Sequence, residues 1–375
     1  MAEIELEANP NCPGPPTKKD LKVTDTSVLK AALDIVRPGL SSVNVIPIFS
    51  HFCFDGHTVT AYNDVIGIQT KYAGDIKGAL HGPTLLGILN NTKAKEIEVA
   101  NEDGGAKLKL GRAKATLAML PTEDFVFELP GLDVEKDHSF FANDKIISAI
   151  KDCLVAMGTD YSRPTMMGIT MRVKEKRGVL YATTGHSLAR ASLPKSATKH
   201  MDDCDVILPA DFCTNLVKLA AAEKGKDITI LFNDFEVMAT TGRTSLFSRL
   251  ISTETPLDFE GVFRSSTKEF TTDHIPIPKN LIPALKRSLI IVGDASTNIQ
   301  AKIEKGKAIL QTTGVDNRLR DVIAIDKKHP DVTANIAADV LLKIIEGDDS
   351  ILFGKHCVSI TRSTSLRYLI INKVD

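Results

Sequence analysis

The residues that first invite a chemical reading are Gly185-His186-Ser187-Leu188-Ala189, inside "YATTGHSLARASL" at 181–193. They approximate the G-x-S-x-G nucleophile elbow, in which serine sits on a sharp strand-to-helix turn. Ala189 stands where the second glycine belongs. An elbow also needs a helix directly after its serine, so that the helix N-terminus faces the oxyanion. Here Ser187 is followed by "LARASLPKS", which Pro194 closes, and the alternation of Leu188, Arg190 and Ser192 reads as a strand. Other catalytic signals are weaker. The sequence has no Walker A loop, no G-x-G-x-x-G and no H-E-x-x-H. His51, His57 and His274 lack a second ligand pair at metal spacing and read as ordinary surface or core histidines. No metal or cofactor is expected.

The elements that position this stretch belong to a chain of 375 residues, long enough for more than one domain. Hydrophobic residues make up 43% and charged residues 25%, which suits a buried core. The formal net charge is −1, so a nucleic-acid partner would require basic residues segregated onto one surface. Tryptophan is absent and aromatics are 5%, which disfavours a base-stacking platform. Cys12, Cys53, Cys153, Cys204, Cys213 and Cys357 form no C-x-x-C pair and, with no signal peptide evident, suit a reducing cytoplasm. The longest apolar runs, such as "SLIIVG", fall short of a membrane span. Residues 1–20, with "EANPNCPGPPTKKD", are expected to form a flexible arm whose adjacent Lys18 and Lys19 could touch a phosphate backbone.

The chain repeats itself. "LYATTGHSLARASL" at 180–193 matches "AILQTTGVDNRLRDVIAI" at 308–325, with Gly185 set against Gly314, and "HTVTAYNDVIGIQTKY" at 57–72 is a weaker copy. Helical patterns begin near Thr26, Asn143 and Ile277. Second helices are expected over 82–93, 209–225 and 335–348, each followed by alternating β sequence. The pattern predicts an α+β protein of three tandem units of roughly 120 residues, each with two helices and antiparallel sheets. A nucleophile is not expected from an element present three times.

"VIPIF" (45–49), "TLAMLPTEDFVFELP" (116–130), "RPTMMGITM" (163–171), "LYATTGHSLARASLP" and "LFSRLISTETPLDFEGVF" (246–263) follow in the order and spacing of one family. Through them, residues 21–375 resemble the bacterial β sliding clamp, the processivity subunit of DNA polymerase III, or a phage-encoded relative. The resemblance implies clamp domains at 21–128, 129–255 and 256–375, with two chains closing head to tail into a ring around duplex DNA. It implies a non-catalytic subunit that tethers a polymerase, in the cytoplasm of its own cell or of a phage host. The alternatives are a clamp-fold scaffold that does not bind DNA, and a serine esterase at Ser187.

A sliding ring needs positive potential without base-specific contacts. The basic residues on the expected helices are Lys30, Arg37, Lys93, Lys145, Lys151, Lys218, Lys224, Lys279, Lys286, Arg287 and Lys343. By helical period alone they are a solvated outer face; the resemblance turns that face towards DNA. It also implies a cleft where the polymerase and the clamp loader dock short peptides, formed by Met166, Thr183, Gly185, His186, Leu188, Pro256, Val262, Leu369 and Ile371. Leu188→Lys is then expected to block docking while leaving the dimer intact. Leu117, Ile290 and Ile291 are the implied dimer joint. The chain departs from the family at Val43, Thr184, Ser187 and Gly261, and its ending "YLIINKVD" lacks Met-Pro-Met.

Overall fold

The computed structural model describes residues 22–371 apart from 44–45, 75, 103, 126, 128, 253–256, 294–297, 326–328, 346–348, 355–356 and 363–365. The arm at 1–20 lies outside these residues. The described chain forms two compact units. The first runs to Leu129 and takes in Gly242–Ser245; the second comprises Pro130–Thr241 and the chain from Leu246 onwards.

In the first unit, strand β1 (Lys22–Asp25) leads into helix α1 (Thr26–Val36). Asp25 caps that helix, its Oδ1 accepting from the Ser27 and Val28 amides at 2.7 and 3.2 Å. The remaining strands are β2 (His51–Asp55), β3 (Thr58–Tyr62), β4 (Ile66–Lys71), β5 (Lys77–His81), β6 (Glu96–Glu102), β7 (Gly105–Leu110) and β8 (Ala113–Leu120), with α2 (Gly82–Asn90) after β5. They pair antiparallel in the order β1-β6-β7-β8-β5-β2-β3-β4. Leu29, Leu33 and Val36 of α1, and Leu85 and Leu89 of α2, are buried as the helical period requires.

The second unit opens with β9 (His138–Phe141) and α3 (Asp144–Leu154), capped by Asn143 at 3.1 and 3.2 Å. Then come β10 (Gly168–Lys174), β11 (Arg177–Thr183), β12 (Ser187–Ser192), the short α4 (Lys195–Thr198), β13 (Cys204–Pro209) and α5 (Ala210–Ala222). Strands β14 (Thr229–Phe232), β15 (Glu236–Thr240) and β16 (Thr244–Arg249) precede α6 (Phe259–Thr267). The last third holds β17 (Ile275–Pro276), α7 (Leu281–Val292), β18 (Asn298–Glu304), β19 (Lys307–Thr313), β20 (Arg318–Ala324), β21 (Val332–Ala337), α8 (Ala338–Ile344), β22 (Ser350–Phe353), β23 (Cys357–Thr361) and β24 (Leu366–Ile371). One sheet runs β13-β10-β11-β12-β24-β23-β22-β17, and another β20-β19-β18-β21. The chain is α+β, as its sequence pattern predicts.

Five turns among the described residues close with the same backbone hydrogen bond, and three of them lie in the repeated segments. The Asn63 amide donates to the Ile66 carbonyl (3.3 Å), Thr184 to Ser187 (3.1 Å) and Gly314 to Asn317 (2.8 Å). The repeat is therefore in register when Thr184, not Gly185, is set against Gly314, one residue from the alignment read in the sequence. Helix ends also differ from expectation. Helix α2 stops at Asn90, leaving Lys93 in the following loop. Helix α5 stops at Ala222, with Lys224 in a turn, and Lys279 sits in the turn before α7. The expected helix at 335–348 begins only at Ala338, because Val332–Ala337 pairs with β18. Ladder bonds there override the helical pattern.

An arginine adds a polar tie between the two halves of the second unit. Arg362 reaches Asp152 of α3 at 2.7 Å and Asp349 at 3.2 Å, and donates to the Ile344 carbonyl. Its guanidinium lies 5.6 Å from the Tyr368 ring centroid, and the Tyr368 hydroxyl donates to the Asp152 carbonyl at 3.1 Å. The Asp349 side chain is 1% exposed. Arg362→Met takes the guanidinium away from that buried carboxylate, so unfolding in urea is expected to show a loss of about 3–5 kcal/mol.

Candidate functional site

The turn at 183–187 is built by threonines. Thr184 Oγ1 accepts from the His186 and Ser187 amides at 3.2 and 3.0 Å, and Thr183 Oγ1 donates to the Ser187 carbonyl at 2.7 Å. Gly185 takes φ +88°, a conformation open to glycine. Ser187 is 1% exposed, and its Oγ lies 2.9 Å from Thr184 Oγ1. A strand follows it, paired with β11 on one side and β24 on the other. This geometry is the opposite of a nucleophile elbow, which needs an exposed serine at the start of a helix.

Beyond the turn, β12 pairs with β24 so that Leu188 faces Leu369 across the ladder. Both are buried, in a cluster with Tyr181, Phe259, Phe263 and Cys357. Phe259 and Phe263 come from α6, whose Asp258 caps the Gly261 amide at 2.9 Å. The Tyr181 ring stacks on Phe259 at 4.8 Å. The Tyr181 hydroxyl and Arg190 Nε both donate to Glu260 Oε1, the latter at 2.9 Å. Burial, and then the Glu260 carboxylate, push the Tyr181 phenol well above its ordinary pKa. Burial works to raise the Glu260 pKa, but the hydrogen bonds from Tyr181 and Arg190 outweigh it and hold the carboxyl below its ordinary value.

The expected cleft residues separate into a rim and a floor. Met166, in the turn Pro164–Met166, and Thr183 are half-buried. Gly185 and His186 are exposed, and a Cβ at Gly185 would lie 3.8 Å from Met166 Sδ. Val262 is exposed on α6. Leu188 and Leu369 form the floor beneath the aromatic residues of α6. Pro256 and the Ile371 side chain lie outside the described residues. Leu188→Lys therefore places a charge in the core, and the expectation that it spares the rest of the molecule is corrected by that burial. Tyr181, Phe259, Glu260 and Arg190 were not singled out in the sequence. Asp258 ahead of an apolar pair one turn apart was the available signal for α6.

Among the basic residues, Lys145 and Lys151 on α3, Lys218 on α5, Lys286 on α7 and Lys343 on α8 are exposed and make no ion pair among the described residues. Lys30 is half-buried on α1, and Arg37 follows that helix in a 3₁₀ turn. Arg287 differs: it holds Asp321 of β20 at 2.8 and 3.2 Å. Of the expected joint residues, Leu117 on β8 and Ile291 are half-buried, while Ile290 is 79% exposed. Val322, on the edge strand β20, and Val315, in the turn before it, are also exposed.

The chain is similar to known proteins in sequence and in fold. A family model described as "DNA polymerase III beta subunit, central domain" matches residues 141–257. A β sliding clamp from Synechococcus elongatus is 21% identical over 66% of this chain and 66% of its own length. One from Pseudomonas aeruginosa is 27% identical over 57% and 56%, and one from Halalkalibacterium halodurans 21% over 78% and 80%. The alignments thus span somewhat less than two thirds of the first two relatives. A putative DNA polymerase III β subunit from Eubacterium rectale superposes with a TM-score of 0.83 at 16% identity, covering 95% of this chain and 99% of that one. The P. aeruginosa DNA polymerase III subunit β gives 0.83 at 18%, covering 94% and 99%. The fold is that of a DNA clamp. The chain is thus similar to the central domain of DNA polymerase III β subunits, to β sliding clamps in sequence and to their solved structures in fold.

A fluorophosphonate probe is expected to leave Ser187 unlabelled, and Ser187→Ala to reduce stability by only about 1 kcal/mol in urea, the worth of one hydrogen bond. Leu188→Ala is expected to lose about 2–5 kcal/mol. Because the folded pKa of Glu260 lies below its ordinary value of 4.5, its stabilisation is present above that value and lost as pH falls through the lower one. Glu260→Gln should therefore flatten the decline of melting temperature below about pH 4.5.

Proposed function

We propose that this chain is a sliding clamp that encircles duplex DNA and tethers a replicative polymerase, without catalysis or cofactor. The observation that carries this reading is the clamp fold over nearly the whole chain, together with unpaired lysines on α3, α5, α7 and α8. Lysines held on rigid helices attract phosphate without reading sequence. Lys30, Arg37, Lys93, Lys224, Lys279 and Arg287 belong to the same proposed surface, with Arg287 the weakest member because Asp321 already neutralises it. The domains are taken as 21–128, 129–255 and 256–375.

Ring closure as a homodimer would cover Leu117 on one copy and Ile290 and Ile291 on the other. Exposed apolar side chains beside the edge strand β20 support this, since a free edge and an apolar patch together favour association. Polymerase and loader peptides would enter at Met166, Thr183, Gly185, His186 and Val262, above Leu188 and Leu369, with Pro256 and Ile371 beside them. No described helix is long and apolar enough to cross a membrane; the proposed place of action is the cytoplasm.

The decisive experiment is retention on nicked circular DNA. The loaded protein should stay on the circle and leave once the circle is cut linear. A protein that never loads would support the scaffold reading instead. Lys145→Glu with Lys286→Glu should weaken retention on every sequence alike and flatten its salt dependence, by about 0.9 in log–log slope per lost phosphate contact. Ile290→Glu should convert the dimer to a monomer in analytical ultracentrifugation.

A further inference from the structure

In the first unit two histidines stand directly opposite each other, His51 on β2 and His81 on β5. Cross-strand partners share one face of a sheet, with Cβ atoms about 4.5–5.5 Å apart. Here the ring centroids are 5.3 Å apart and the planes are inclined by 64°. Two imidazoles on one tetrahedral ion, each nitrogen about 2.0–2.1 Å from it, have centroids roughly 5 Å apart. The sequence hides this pair, because only the β2–β5 ladder brings His81 to His51.

Both rings are oriented through Nδ1. That of His51 lies 2.7 Å from the Pro47 carbonyl, which can only accept, so Nδ1 carries the hydrogen and Nε2 the lone pair. Ser50 Oγ lies 3.2 Å from the same nitrogen. His81 Nδ1 lies 2.7 Å from Thr84 Oγ1. Metal-bound histidines are commonly held this way, by the nitrogen that does not touch the ion. Neither Nε2 has a hydrogen-bond partner among the described residues, and neither is sealed from solvent.

The two rings line a cavity of about 250 Å³ with Thr84, Thr116, Leu117 and Met119. No aspartate or glutamate lines it, and among the described residues no third histidine, cysteine or carboxylate joins the pair. Hard cations such as Mg²⁺ and Ca²⁺ need oxygen ligands that this lining lacks. Imidazole suits zinc, copper and nickel. Burial lowers the His51 pKa, against the pull of its bond to Pro47, and charge on His81 acts in the same direction as burial. The lone pair is therefore present at neutral pH.

We infer that His51 and His81 chelate one divalent transition-metal ion of the zinc class, with water in the remaining positions. The ion pins β2 to β5. The site belongs to a single chain and does not depend on the clamp reading, although Leu117 of the proposed joint borders it.

The test is calorimetric titration of the full chain with Zn²⁺ near neutral pH. A saturable site is expected. His51→Gln, His81→Gln and the double variant should each weaken it by about tenfold or more, since even changes around a metal's ligands cost that much. The double variant should lose little beyond either single one, because a chelate fails when one arm is gone. Glutamine keeps a polar group beside Pro47 or Thr84. In the unaltered chain, Zn²⁺ should shift the ring-nitrogen resonances of His51 and His81 together and leave those of His57 and His274 in place. Three results overturn the proposal: no saturable binding, resonances of the pair that stay in place, or binding that survives both glutamine variants. The last would put the zinc on thiols, since the variants keep all six cysteines.

Discussion

The pairing of β12 with β24 is the contact on which the second unit depends. It joins segments far apart in the chain, so it bears a loop-closure cost that local structure cannot repay. What repays it is two-sided packing. On one face the register sets Leu188 beside Leu369, under Phe259 and Phe263. On the other it sets Ala189 opposite Tyr368, whose hydroxyl and ring meet Asp152 and Arg362. A slip of one residue would exchange these faces and break both. Ser187 is buried because it begins this ladder, opposite Ile370.

The same constraint sorts the charges. Where elements meet inside the second unit, carboxylates are matched: Asp152 and Asp349 to Arg362, Glu260 to Arg190 and Tyr181, Asp205 to Arg172. The exposed lysines on α3, α5, α7 and α8 make no ion pair among the described residues. A chain with a net charge of −1 can thus present positive helix faces while its acids are occupied elsewhere. The thiols follow the interior pattern. Burial pushes Cys53 up to about 12 and Cys204 up to about 11, which leaves them unreactive near neutrality.

Much of this was legible because it is periodic. The buried stripe Leu29, Leu33 and Val36, the strand after Ser187, and the repeated β-turn all follow from spacing alone. The rest depends on partners distant in sequence. Nothing around Arg362 predicts that it meets Asp152, and residues 335–337 read as the start of a helix until β18 is beside them. The register of the repeat was misread by one residue because glycine was taken as the marker, when the conserved element of the fold is a backbone bond. The candidate cleft was legible only as a family resemblance; burial then divided its residues into rim and floor.

That bond has a consequence for the three turns. Each is closed by a main-chain amide and a main-chain carbonyl, through Asn63, Thr184 and Gly314. In two of them the first side chain braces the tip as well, Asn63 Oδ1 accepting from the Val65 and Ile66 amides and Thr184 Oγ1 from the His186 and Ser187 amides, so each tip carries its own bracing: Asn63-Asp64 in one, Thr184-Gly185 in the next, Gly314-Val315 in the third. The tips are interchangeable modules on a common socket. A tip moved from one repeat to another keeps its frame and brings only its chemistry, so the scaffold can diversify its surface three times over without renegotiating its sheets.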